Sequence, residues 1–173
     1  PARLSLGRLS IVRDTADPSK PLAGVPMVDD YIKTPEQVVD YLTRWSGLVP
    51  GDLDVATSRH HLIPLKRAYL KMRYLIDKGF SFVGHGLKKD FRIINAYVHP
   101  SKIIDTVDIF HMPKRRMISL RFLAYHVLHR DIQVETHDSI EDARTALALY
   151  HEYLRLKEAG EFERVLDNLY EIE

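Results

Sequence analysis

Phe80-Ser81-Phe82-Val83-Gly84-His85-Gly86-Leu87-Lys88-Lys89-Asp90-Phe91 carries the chain from a short apolar run, through two glycines, into helix-forming sequence. A short apolar run closed by glycine reads as a buried strand over Phe80–Val83. Gly84 and Gly86 supply the backbone freedom for the turn that launches a helix. That helix is expected from about Leu87 to Tyr97, with Pro100 ending the region. Ile103-Ile104 with Thr106-Val107 gives another strand near Asp105. Alternation of strands and helices implies a partly parallel sheet, so the fold class is α/β.

Working outward, Leu4 to Arg13 interleaves Leu, Ile and Val with polar residues and reads as a strand. The segment 14–24, with Asp17-Pro18-Ser19, Pro21 and Gly24, reads as a loop, and Val25 to Ile32 as the return strand of an antiparallel hairpin. Thr34-Pro35-Glu36-Gln37 has the form of a capped helix start, which predicts a short helix to about Trp45. His60 to Lys78 reads as a longer helix with Leu62, Leu65, Tyr69, Met72 and Ile76 on one stripe, stopped by Gly79. Ser119 to Leu128, a long helix from Ser139 ended by Gly160, and Phe162 to Tyr170 complete the helices.

The 173 residues suit one domain with one core. A net charge of +1 provides no strongly basic field, so any nucleic-acid contact must come from local patches. Lys114, Arg115, Arg116 and Arg121 are the one such patch; contact with phosphates and a solvated loop are equal readings of it. The absence of cysteine excludes disulfides and thiolate metal sites and fits a reducing compartment. No apolar run approaches membrane-spanning length and no signal peptide is visible, so no membrane partner is expected. The expected location is cytoplasmic.

Two acids carry the chemical signal. Asp90 falls in the first turn of its expected helix, sharing a face with Ile93, Ile94 and Tyr97. Asp142, in His137-Asp138-Ser139-Ile140-Glu141-Asp142-Ala143, falls likewise. Ala146, Leu149 and Tyr153 lie in line with it, beside a main stripe of Ile140, Ala143, Leu147, Tyr150 and Leu154. Acids favour first helical turns for their dipole alone, and either residue singly is best read that way. The pair is different: a carboxylate facing a core is costly unless a positive group meets it, and a divalent cation would meet both. His137, five residues before Asp142, projects near the same helix end and can take a proton from water. Asp138 and Ser139 read as caps, Asp105 and Asp108 as structural, His60-His61 as a solvated helix start, and His85 as a buttress of the Asp90 turn.

These segments resemble a known family. The Gly84–Phe91 segment looks like the second motif of the DEDD 3′–5′ exonucleases, and the His137–Ala143 segment like the third, in the His-x4-Asp form of the DEDDh branch. The strings GDLD, FVGHGLKKDFRIIN, IIDTVDIFH, SLRFLAY and THDSIEDARTALALY are similar to the exonuclease domains of messenger-RNA deadenylases. The resemblance covers most of the chain. It implies a ribonuclease-H-like fold, a mixed five-stranded sheet flanked by helices. It also implies a poly(A) RNA substrate shortened from its 3′ end, 5′-AMP as product, and a regulatory partner subunit. Hydrolysis would use two divalent metal ions, with Mg²⁺ the expected ion. On this resemblance Asp142 binds the metal that activates the water, Asp90 serves the second metal, and His137 is the general base.

The family's first motif, Asp-x-Glu on a central strand, should precede Leu4 to Arg13 and is not in these 173 residues. Residues 1–173 are therefore expected to be one exonuclease domain, N-terminally incomplete and inactive as it stands. Leu4–Arg13 and Phe80–Val83 are expected to present unpaired edges where that strand would lie. The competing reading is a catalytically inactive exonuclease-like module that binds RNA or protein.

Overall fold

Leu9 and Ile11 pack into one apolar cluster, while Ser10 between them reaches the opposite side, 2.6 Å from the Ser139 hydroxyl. This is the period-two alternation of a strand. Strand β1 (Arg8–Val12) pairs antiparallel with β2 (Pro26–Lys33), Arg8 opposite Tyr31, with an irregularity between Ile11 and Val12. The expected hairpin is present. The computed structural model describes residues 4–15 and 19–172, so the Asp17-Pro18 turn lies outside the described residues.

Strand β2 continues into a parallel pair with β3 (Leu62–Pro64). A second parallel pair joins β4 (Phe82–Gly84) to β5 (Ile103–Asp105). The strands thus form two sheets, ordered β1-β2-β3 and β4-β5, in place of the single expected sheet. Among the described residues β1 and β4 each have one unpaired edge.

Among the described residues seven α-helices surround these strands: α1 (Thr43–Ser46), α2 (Leu65–Asp77), α3 (Leu87–Ile94), α4 (Thr106–Ile109), α5 (Leu120–Leu128), α6 (Ser139–Glu158) and α7 (Phe162–Ile172). Met72 of α2 and Phe91 and Ile94 of α3 form a core with Val98, against which Leu9, Ile11, Phe82 and Ile103 of both sheets pack. On the other side α6 packs against both β1 and β4, spanning the two sheets. A second core joins Leu123 of α5, Ala146 and Leu149 of α6 and Leu166 and Leu169 of α7.

Five sequence expectations are corrected. The helix expected from Thr34 reduces to α1, because the Thr34 hydroxyl donates to the Glu36 carbonyl at 2.7 Å instead of capping, and Val39, 94% exposed, has nothing to bury against. The helix expected from His60 starts at Leu65. Ile63 instead extends a strand and packs with Ile32 and Ala68, and Pro64 stands at the helix entrance, where its missing N–H costs nothing. His60 itself stacks on Tyr31 with ring centroids 3.7 Å apart, not in a solvated helix start. The strand expected through Val107 stops at Asp105, whose carboxylate accepts the Val107 N–H at 3.0 Å and caps α4. On α6 the buried face runs through Thr145, Ala146 and Leu149, while Leu154 of the expected main stripe is exposed, so Asp142 lies in line with the most deeply buried positions.

Candidate active site

The N-terminus of α6 is fixed from several directions. The Asp138 carboxylate accepts the N–H groups of Ile140 and Glu141 at 3.0 and 2.9 Å, the standard way of satisfying free donors in a first helical turn. The Arg8 guanidinium donates to Asp138 at 2.9 Å and to Asp29 at 2.7 Å, so this cap is bound to the β1–β2 hairpin. His137 precedes the cap. Its N–H donates to the Arg44 carbonyl at 3.3 Å, and its own carbonyl lies against Gly47, where any Cβ would collide with it. Gly47, at φ 69, also closes α1 in the left-handed region.

Asp142, one turn into α6, is held by two side chains. Gln133 Nε2 donates to its Oδ1 at 2.7 Å, and His137 Nδ1 lies 3.4 Å from its Oδ2. Burial raises the Asp142 pKa above the usual carboxylate range, and Gln133 and His137 only partly offset this. A proton on His137 Nδ1, facing Asp142, leaves Nε2 as the ring nitrogen that can accept another.

Asp90 sits in the first turn of α3 and makes no hydrogen bond or ion pair among the described residues. Its expected place on the apolar face holds only in part: Ile94, four residues on, is buried, whereas Asp90 itself and Tyr97 beyond the helix are exposed. The Asp90 side is open to solvent. Even so, the protein crowding its carboxyl, reinforced by the like charge of Asp105, pushes its pKa up to about 6.

The turn into α3 is braced from below. Buried Asp105 accepts the N–H groups of Gly86 and Leu87 at 2.8 and 2.9 Å. The Thr106 hydroxyl donates to the Gly84 carbonyl at 2.9 Å, and His85 Nδ1 lies 2.9 Å from that hydroxyl. Burial lowers the His85 pKa despite the pull of Asp105, so this ring is a neutral brace.

The structure therefore brings His137 and Asp142 together and leaves Asp90 on a separate turn, with no direct contact to either. Among the described residues no three His, Asp or Glu side chains form a ready-made cation cage. The donor chemistry nevertheless fits a hard divalent cation: two carboxylates whose surroundings disfavour the anion, one of them with no hydrogen bond or ion pair among the described residues. Lys114, Arg115, Arg116 and Arg121 lie exposed.

Three features of the site escape the sequence patterns. Gln133 has no periodic or motif signal. Asp105 is legible only as a structural acid, although Asp105-Thr106 directly after a strand has the form of a cap. Trp45 lies on α1 between Arg44 and Gly47, the two residues that touch the His137 backbone, and is 64% exposed.

Comparison with known proteins places this geometry. An exonuclease family model matches residues 1–150. The catalytic subunit PAN2 of the PAN2-PAN3 deadenylation complex of Gallus gallus is 57% identical over 99% of this chain, and its counterpart in Schizosaccharomyces pombe is 51% identical over 99%. The chain spans only 14% and 16% of the length of those two proteins. The Saccharomyces cerevisiae Pan2 pseudoubiquitin hydrolase-RNA exonuclease module in complex with A7 RNA superposes with a TM-score of 0.92 at 47% identity, covering 99% of this chain and 28% of that one. The Neurospora crassa Pan2 catalytic unit, comprising protease and nuclease domains, gives 0.89 at 47% identity, covering 96% and 27%. The fold is the ribonuclease-H-like one of these Pan2 exonuclease domains. By sequence and by architecture alike, this chain belongs to the exonuclease family.

Proposed function

We propose that this chain is the nuclease domain of a cytoplasmic 3′–5′ exoribonuclease that shortens messenger-RNA poly(A) tails, releasing 5′-AMP, in complex with a regulatory partner subunit. The observation that carries the reading is the pairing of His137 with Asp142 at the start of α6, in a chain so similar to deadenylase catalytic subunits. The exonuclease family implies dependence on divalent metal.

Asp142 and Asp90 would hold two Mg²⁺ ions, which when bound supply Lewis-acid stabilisation of charge on the scissile phosphate. The rest falls to the chain's own groups. His137 Nε2 takes the proton of the attacking water, with Nδ1 steadied by Asp142, as a general base oriented by a carboxylate. Arg8, Asp138 and Gly47 keep that imidazole in place through the backbone on either side of it. Asp105 and His85 hold the turn that presents Asp90.

Among the described residues β1 and β4, which both pack against α6, each offer an unpaired edge for strand addition. The test is the complete protein acting on 5′-labelled oligoadenylate with Mg²⁺. A ladder receding from the 3′ end, with 5′-AMP as product and no cleavage in EDTA, is expected. Tight RNA binding without cleavage, in the presence of Mg²⁺, would instead identify an inactive binding module.

A further inference from the structure

Gln133 occupies the left-handed region at φ 54. A non-glycine residue held there costs about 1–3 kcal/mol and persists only where its surroundings enforce it. The surroundings here are all on one side. Ile132, the preceding residue, is buried in the core shared by α5, α6 and α7, and this anchors the segment. The Gln133 N–H donates to Glu141 Oε2 at 3.2 Å, and its side-chain Nε2 donates to Asp142 Oδ1 at 2.7 Å. Val134, Glu135 and Thr136, which follow, are exposed. Gln133 is thus the last fixed point before the segment that delivers His137, and both its backbone and its side chain are spent on the first turn of α6.

An amide does particular work at this place. Being neutral, it leaves the negative charge of Asp142 intact for a cation, whereas a lysine or arginine would cancel it. It also takes only one lone pair of Oδ1, while His137 approaches Oδ2 from the other side. The plane of the carboxylate is therefore set by two neighbours, and the remaining lone pairs point in fixed directions. Partners of this kind behind a metal-ligating group govern its orientation, and their loss costs about 10–100-fold in metal affinity or activity.

We propose that Gln133 is a positioning residue, which fixes the rotation of the Asp142 carboxylate so that it can hold a divalent cation and steady His137 at once. The proposal rests on the reading of Asp142 as a metal ligand.

Gln133→Met keeps length and removes the donor, and Gln133→Gly removes the side chain while relieving the left-handed backbone. Both are made in the complete protein beside Asp142→Ala. Mn²⁺ binding is followed by calorimetry, the Mg²⁺ dependence of oligoadenylate cleavage by kinetics, and folding by thermal melting without metal. For both Gln133 variants the expected result is about a 10–100-fold weaker Mn²⁺ affinity and a matching rise in the Mg²⁺ needed for half-maximal rate. Gln133→Gly should melt near the parent temperature, which separates positioning from folding if Gln133→Met proves unstable. If Asp142→Ala loses Mn²⁺ binding while Gln133→Met and Gln133→Gly retain the parent affinity, the positioning role is wrong and the metal site stands. If Asp142→Ala itself binds Mn²⁺ like the parent, the metal-site reading falls and takes this proposal with it.

Discussion

The carboxylate of Asp105 accepts the Leu87 N–H at 2.9 Å, so the end of β5 caps the helix that follows β4. The same carboxylate serves Gly86 and Val107, and two helix starts on neighbouring parallel strands therefore depend on one side chain. Asp105→Ala leaves three backbone donors to find other partners. At about 1–3 kcal/mol for a buried donor left unpaired, with some recovered by water, a net loss of about 2–4 kcal/mol is expected. Thermal melting of this domain should drop by several degrees, and Asp105→Asn, which keeps an accepting oxygen, should drop less. Equal effects of the two substitutions would show that the caps are not what Asp105 contributes.

Asp90 predicts an unusual stability profile. Its folded pKa of about 6 stands above the ordinary value of 3.8, so the folded state holds this proton more tightly than the unfolded one. The sign is therefore unfavourable to folding as pH rises: stability is lost between about pH 4 and 6, and the penalty is full at pH 7. Discounted for the open side of the residue, the penalty is about 1 kcal/mol. In metal-free buffer Asp90→Asn should therefore raise the melting temperature at pH 7 by about 2–4 °C and change nothing below about pH 4. Mg²⁺ should stabilise the parent more than the variant, which keeps only the Asp142 carboxylate as a ligand. A lower melting temperature for Asp90→Asn at pH 7 would mean that the charge is already compensated.

Removing the imidazole separates base catalysis from metal binding. His137→Ala in the complete protein should lower kcat by about 10²–10⁴-fold, the usual worth of a positioned general base, while Mn²⁺ affinity stays close to the parent value. A rate within a few fold of the parent would remove His137 from the chemistry.

Trp45 is the exposed aromatic nearest in the chain to the two residues that fasten His137. Stacking of a base on an aromatic side chain contributes about 1–3 kcal/mol. Trp45→Ala should accordingly raise KM for oligoadenylate by about tenfold, with Trp45→Phe close to the parent. An unchanged KM would place the indole outside the RNA path.

Much of this architecture is legible in residue patterns, and the exceptions have physical causes. The hairpin, the helices α3, α5, α6 and α7 and the Asp138 cap follow from periodicity and from short polar residues at helix starts. The Thr34 helix fails because capping chemistry without an apolar face gives a helix nothing to bury. Strand β3 is hidden because three residues are too few for a period, and the packing of Ile63 with Ile32 decides it. His137 and Asp142 are legible as a pair because five residues across a helix start fix their separation. The Gln133 contact is not, since a left-handed residue and an amide hydrogen bond leave no trace in polarity or spacing.

On the proposed reading the Asp142 carboxyl serves metal-dependent cleavage from the RNA 3′ end. The most direct measurement is 5′-AMP release from oligoadenylate by the complete protein over a Mg²⁺ titration, parent against Asp142→Ala. The expected rate rises with Mg²⁺ in the parent and is absent from the variant at every concentration, although the variant remains folded. Parent-like release by Asp142→Ala, or release unaffected by EDTA, would contradict it.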